Sequence, residues 1–390
     1  MRTRCRYFLR LSIVPLLITV AALFGQGSGS AVDYSTIAPA DIEAHIAEIQ
    51  GFRSPFGGEA QRAKLGEVVE YVRDTLASYR LTVSEDPVTY SAQTFPNIVG
   101  TLRGTTCPEK TFIVSAHYDG VAGSPAADDD ASGVAAVLEI ARVLSAQPLQ
   151  ASVDFVAFSF EEQGLIGSSQ MATAARAADR PLVGMVNFDM IAYTCDVEGC
   201  QDYPEGIPPP RPTGDFAAIV GNTTSHDLLE SFIAVAPSAA PDLITVPLEV
   251  PGNGETLPDV RRADHAPFWD RGYQALFIND TANLRNPYYH QAGDTLDTLN
   301  LDFAADVANA SLATVVDVLS ADADGDGRAD VCGPAPVGGD AESPQPKPSP
   351  DSDSDESSQP NAVVIAVMAA AGIAVVILVG AGLAVRRRSR

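Results

Sequence analysis

The stretch "TFIVSAHYDG", residues 111–120, decides the fold. An apolar, β-branched run that stops abruptly at His117 and Asp119 reads as a buried strand carrying polar side chains to its end. "NIVGTLRG" (97–104), "VDFVAFSF" (153–160) and "VGMVNFDM" (183–190) have the same character. Between and before them, "PADIEAHIAEIQ" (39–50), "GEAQRAKLGEVVEYVRDTLASYR" (58–80), "SGVAAVLEIARVLSA" (132–146) and "GLIGSSQMATAARAA" (164–178) space apolar residues three and four apart, as amphipathic helices do. The alternation predicts an α/β domain with a central mixed, largely parallel sheet covered by helices on both faces. Such sheets bind ligands beyond the carboxyl ends of their strands. His117 and Asp119, Glu161 and Glu162, and Asp189 all follow strands.

The two ends have other chemistry. Residues 1–31 carry four arginines, a short apolar run and then small residues, the pattern of a cleaved signal peptide. Residues 361–385 have no charge over more than the ~20 residues that cross a bilayer, and the basic tail "RRRSR" (386–390) follows. A C-terminal single-pass membrane helix is predicted, with everything before it outside the cytoplasm. Residues 334–360, rich in Pro, Ser and Asp, read as a disordered acidic stalk. One catalytic domain over 37–320 fits the uniform composition between. A net charge of −25 argues against nucleic acid as a partner and suits a cationic ligand. Apart from Cys5 there are four cysteines, an even number that suggests bridges in an oxidising compartment. Cys195 and Cys200 are close enough in sequence for a local loop, leaving Cys107 and Cys332 for each other.

Carboxylates gathered at one end of a sheet repel one another unless a cation sits among them. Imidazole with carboxylate oxygen fits zinc, and two metals can share one bridging carboxylate and a water. His117 would bind one metal with Asp119 orienting its ring. "NPYYHQAGDT" (286–295) brings His290 for the second.

"SAHYDG", "AADDDASGVAAVLEIAR", "FSFEEQGLIGSS", "NFDMIAY" and "YYHQAGDT" resemble, in order and spacing, the motifs of the co-catalytic zinc aminopeptidases of bacteria. That metallopeptidase family also includes carboxypeptidases and glutaminyl cyclases. The resemblance implies two zinc ions, with His117 and Asp189 as terminal ligands of one, Glu162 and His290 of the other, and Asp129 as the bridge. It implies Glu161 as the general base, taking a proton from a zinc-activated water and delivering it to the leaving amine. Tyr289 occupies the place of an oxyanion donor; packing is the alternative. In "RADHAPFWDRGY" (262–273), Asp264 and His265 are expected near the pocket without being ligands. His45 and His226 are expected on the surface or at helix caps.

Two segments lie outside the motifs. "TCDVEGCQDYPEGIPPPRP" (194–212) follows Asp189, so it should rim the site, either shaping substrate choice or as an ordinary loop. "DADGDGRAD" (322–330), within 321–333, places Asp322, Asp324, Asp326 and Asp330 at the oxygen positions of a calcium loop, although an EF-hand glutamate would stand where Gly333 is. A solvated acidic linker is the other reading. The whole predicts a zinc metallo-exopeptidase held at the cell membrane, with peptide N-termini as substrate. Glutaminyl cyclase-type acyl transfer, carboxypeptidase activity and a non-catalytic binding ectodomain are the rivals.

Overall fold

Amphipathic helices alternate with strands buried on both faces along most of the chain. The computed structural model describes residues 37–334 together with the backbone of residues 366 and 367. Helices α1 (Pro39–Ile49) and α2 (Glu59–Ser78) lead into a hairpin of β1 (Thr82–Tyr90) and β2 (Gln93–Leu102). The order continues β3 (Cys107–His117), α3 (Gly133–Leu144), β4 (Ala151–Phe158), α4 (Ile166–Ala177) and β5 (Leu182–Phe188). It closes with β6 (Ala217–Asn222), α5 (His226–Ala239), β7 (Thr245–Val250), α6 (Ala266–Trp269), β8 (Leu276–Asn279), α7 (Leu301–Ser320) and β9 (Ala366–Val367).

These strands form one sheet in the order β1-β2-β4-β3-β5-β8-β6-β7-β9. The centre, β4-β3-β5-β8, is parallel, as is β6 with β7. The hairpin is antiparallel to β4, β6 to β8, and β9 to β7. Alternate residues of the central strands face opposite layers. Ile113, Val156 and Met185 join a core with Met171 and Ala172 of α4 and Phe268 and Trp269 of α6. The helices α1, α3, α5 and α7 pack on one another elsewhere. The parallel centre aligns the carboxyl ends of β3, β4, β5 and β8 at one end of the sheet.

One sequence expectation changes. His45 is not at the surface: it is buried in α1, its Nδ1 2.7 Å from Tyr71 Oη and its Nε2 3.1 Å from Glu139. The partners lie on α2 and α3, so a helix read by itself hides them. His226, the first residue of α5, is exposed, 2.7 Å from Glu249. Residues 366 and 367, within the stretch expected to be a membrane helix, pair with Glu249 and Leu248 at the edge of β7. The rest of that stretch, the signal-peptide region, residues 335–360 and the basic tail lie outside the described residues. Helix α7 is itself long and apolar enough to cross a membrane, yet most of it is buried in the domain.

Both bridges, Cys195–Cys200 and Cys107–Cys332, are formed. The second spans 225 residues, a closure worth roughly 5 kcal/mol in the chain-entropy account of the unfolded state.

Candidate metal centre

His117 is the last residue of β3 and Asp189 directly follows β5; Glu161 and Glu162 follow β4 by three and four residues. Asp129 comes from the turn 127–132 that opens α3, and His290 from the loop between β8 and α7. Holding six such side chains together costs local backbone freedom. Ala126, Phe160, Met190 and His290, none of them glycine, all have left-handed φ between 55° and 58°. Each costs on the order of 1 kcal/mol, and each is beside or within a site segment.

The three consecutive aspartates divide their work. Asp130 turns inward: its Oδ1 accepts the N–H groups of Gly133 and Met190 (3.0 and 3.1 Å), and its Oδ2 that of His117 (3.2 Å). A side chain at Gly133 would collide with that carboxylate. Asp128 is buried as well, accepting from Ala192 N–H (3.0 Å) and Asn286 Nδ2 (2.9 Å). Asp129 alone faces the site, with Oδ1 3.2 Å from His117 Nε2 and Oδ2 3.1 Å from His290 Nε2. Its own segment is held by Asp294, whose oxygens accept the N–H groups of Asp128 (2.8 Å) and Asp129 (3.2 Å).

His117 Nε2 also lies 3.8 Å from Asp189 and 4.0 Å from Glu161, and His290 Nε2 lies 3.2 Å from Glu162. Two groups of potential ligand atoms result, His117–Asp129–Asp189 and Asp129–Glu162–His290, each within 4.8 Å and sharing Asp129. His117 Nε2 and Glu162 Oε1 are buried with no hydrogen-bond partner. Imidazoles and carboxylates converging on two points, with buried donor atoms unsatisfied, fit zinc. Burial pulls His117 down, but Glu161, Asp129 and Asp189 outweigh it and hold its pKa well above the ordinary value. Burial and then Asp129 push Glu162 up to about 7. Glu161 rises well above its ordinary range by burial, aided by Asp189, Glu162 and Asp264. A surplus of buried negative charge of this kind is what a divalent cation relieves.

Around this centre, the backbone carbonyl of Asp119 lies 3.2 Å from His117 Nδ1, and its carboxylate accepts the Glu161 N–H (3.1 Å). So the contact to the ring is from the carbonyl, with the carboxylate 3.9 Å away. Asp264 is buried near Ser168, and His265 stacks on Phe277 while Nε2 lies 2.8 Å from the Val260 carbonyl. Burial lowers His265 to about 3, so it is neutral. Tyr289 stacks on His290 and accepts a hydrogen bond from Arg262 (2.6 Å). An open cavity of about 1050 Å³ runs from Asp129, Glu162, Asp189 and His290 along Val220, Val246, Leu248 and Phe277. Tyr203, Pro204, Ile207 and Pro208, from the 194–212 loop, form another wall.

The family model described as peptidase family M28 matches residues 97–315, more than half of the chain. The chain belongs to peptidase family M28. It is a zinc metallopeptidase by that membership. This M28 chain is 32% identical over 259 residues to the uncharacterized protein YfbL of Escherichia coli, covering 63% of the chain and 78% of that protein. It is 30% identical over 254 residues, 58% of its length, to a probable zinc metalloprotease of Pyricularia oryzae, of which it spans half. Its fold is similar to that of the LapA aminopeptidase of Legionella pneumophila, with a TM-score of 0.57, 20% identity, and 74% of each chain covered.

Away from the M28 centre, Asp322, Asp324 and Asp326 bring carboxylate oxygens within 4.8 Å of one another at the surface. Asp322 accepts the N–H groups of Asp326 and Gly327 (3.1 and 3.0 Å). Asp330 turns its carboxylate to the Ala323 N–H at 3.2 Å.

Proposed function

We propose that this peptidase is a two-zinc aminopeptidase, anchored in the membrane with its catalytic domain outside the cytoplasm, that removes N-terminal residues with apolar side chains. The composition of the cavity carries the reading. Carboxylates at its floor suit a free α-ammonium group, and Val220, Val246, Leu248 and Phe277 suit an apolar side chain beside it.

His117 and Asp189 would hold one zinc and Glu162 and His290 the other, with Asp129 shared. Zinc there supplies acidity to a water and polarisation to the scissile carbonyl. Glu161, which lines the cavity 4.0 Å from His117 Nε2, takes the proton of the attacking water and delivers it to the departing amine. Arg262 donates to Tyr289 Oη, which leaves the tyrosine proton free to donate to the developing oxyanion.

A carboxypeptidase reading rests on Arg262, which lines the cavity. Of the other two arginines suited to a carboxylate clamp, Arg261 is tied to Asp270 and Arg285 is buried on Gln201. Arg262 itself bonds Asn283 and Tyr289, so a clamp would have to break those bonds.

The apolar stretch 362–385 with the basic tail supports the anchor, 18 of its residues lying beyond the pairing at 366 and 367, and the two disulfides support an oxidising compartment. The clustered oxygens of Asp322, Asp324 and Asp326 support calcium at the junction between domain and stalk.

Full-length protein in detergent, given leucyl and alanyl amides with free or acetylated N-termini, tests the central claim. Cleavage of the free amines alone, lost on chelation and restored by zinc, is expected. Cleavage only of peptides with a free C-terminus would give the site to the carboxypeptidase reading.

A further inference from the structure

Phe160, directly before Glu161, is buried beneath a cluster of aromatic rings: Phe95 at 5.9 Å, Tyr90 at 6.2 Å and Phe56 at 6.4 Å between centroids. Phe56 and Tyr90 also meet edge-to-face at 6.0 Å. Large apolar side chains at the surface are rare among the described residues. Phe56 (43% exposed), Tyr90 (40%) and Phe52 (46%) are three of the five. Contiguous exposed aromatics of this kind mark contact surfaces.

Their position follows from strand register. β2 runs antiparallel to β4, with Ile98 opposite Ala157, so residues 93–96 continue past the carboxyl end of β4. The hairpin tip, Tyr90 paired with Gln93 across a two-residue turn, therefore rises at the site end of the sheet. The 52–56 segment is fixed to that end by Arg53, whose guanidinium donates to the carbonyls of Tyr118, Pro125 and Ala126, each at 2.8 Å. The sheet order then lays out a line. Phe56, Tyr90 and Phe160 lie over the β1-β2-β4 side, the candidate metal ligands centre on the ends of β4, β3 and β5, and the apolar cavity lies over β8, β6 and β7. Glu161, which returns the proton to the departing amine, stands on the side of the aromatic rings.

We propose that Phe56 and Tyr90, backed by Phe160, form a binding ledge for the substrate chain beyond the scissile bond, selecting peptides with an aromatic or bulky apolar residue after the one removed. The inference rests on the aminopeptidase reading. Its occupant follows from continuity: a peptide whose first side chain fills the cavity and whose scissile nitrogen faces Glu161 continues on the side away from the cavity, where the hairpin tip stands.

The test compares leucinamide, Leu-Gly-Gly and Leu-Phe-Gly as substrates of the full-length zinc-loaded protein and of its Phe56→Ser/Tyr90→Ser variant. Wild type should favour Leu-Phe-Gly over Leu-Gly-Gly by about tenfold in kcat/KM, as loss of aromatic contacts predicts. The variant should lose that preference and keep its rate on leucinamide. Equal rates on the two tripeptides in wild type, or an unchanged preference in the variant, would overturn the ledge. Phe56→Ser alone leaves the hairpin intact and repeats the test should the double variant melt early. Calorimetric binding of both tripeptides to Glu161→Gln protein, with and without the ledge substitutions, reads the ledge without turnover. Inactivity of wild type on all three substrates would defeat the aminopeptidase reading, and the binding difference would still decide the ledge.

Discussion

Asp294 holds Asp129 from behind: its Oδ2 accepts the Asp129 N–H at 3.2 Å while its Oδ1 takes that of Asp128. The carboxylate shared by both candidate metal positions is thus aimed by a residue 165 positions later in the chain. Asp294→Ala should weaken zinc binding about 10- to 100-fold in competition with a chromogenic chelator, the usual cost of losing an outer partner. Unchanged affinity would mean that the Asp129 segment holds its place unaided.

Glu161 and Tyr289 should separate cleanly in kinetics. Glu161→Gln is expected to lower kcat by about 10²- to 10⁴-fold with zinc content by mass spectrometry unaltered. Tyr289→Phe should lower kcat by about 10²-fold while KM moves little. A Tyr289→Phe enzyme with wild-type kcat would reduce that ring to packing on His290.

The Cys195–Cys200 bridge stiffens the start of a loop whose Tyr203, Pro204 and Ile207 wall the cavity. Replacing both cysteines by serine should narrow the ratio of leucyl to alanyl turnover by about fivefold, since discrimination by size needs a firm wall. An identical ratio would make the loop decoration.

Glu139 gives the fold an acid-sensitive contact remote from the centre. Burial raises its carboxyl, but His45 and Arg142 more than offset this and hold it below the usual value. A depressed folded-state pKa contributes stability that is present above the unfolded value and lost as pH falls through the folded one. Glu139→Gln should therefore melt roughly 2–4 °C lower than wild type near neutrality. The gap should close as pH drops below the ~4.3 of an unfolded glutamate. A constant gap across that range would place the effect in packing rather than charge.

Strands β3, β4 and β5 were legible in the sequence because each is largely buried on both faces and dominated by β-branched, aromatic and other apolar residues. The edge strand β1 was not, since Glu85, Asp86 and Pro87 interrupt it, and β8 is only four residues long. The candidate ligands could be found because most of them come just after a strand. The residues that position them could not: Asp294, Asp130 and Arg53 act on backbone groups of distant segments, which leaves no local spacing to read. Asp294 did lie inside the motif "YYHQAGDT", where only the histidine and tyrosine invited a role. The aromatic ledge was equally hidden, since Phe56, Tyr90 and Phe160 come together only when the hairpin folds past the end of β4.

The Cys107–Cys332 bond would have a mechanical meaning were the domain tethered by its C-terminal tail, as proposed. Tension arriving along the tail would peel the two-residue β9 from β7, reach Cys332 and pass through the sulfurs to Cys107, the first residue of β3. His117 is at the other end of that strand, some ~33 Å away. The bond takes the load upstream of the acidic loop and α7, so neither need unravel under shear. The pull ends in a strand hydrogen-bonded on both sides, far from the residues that do the chemistry.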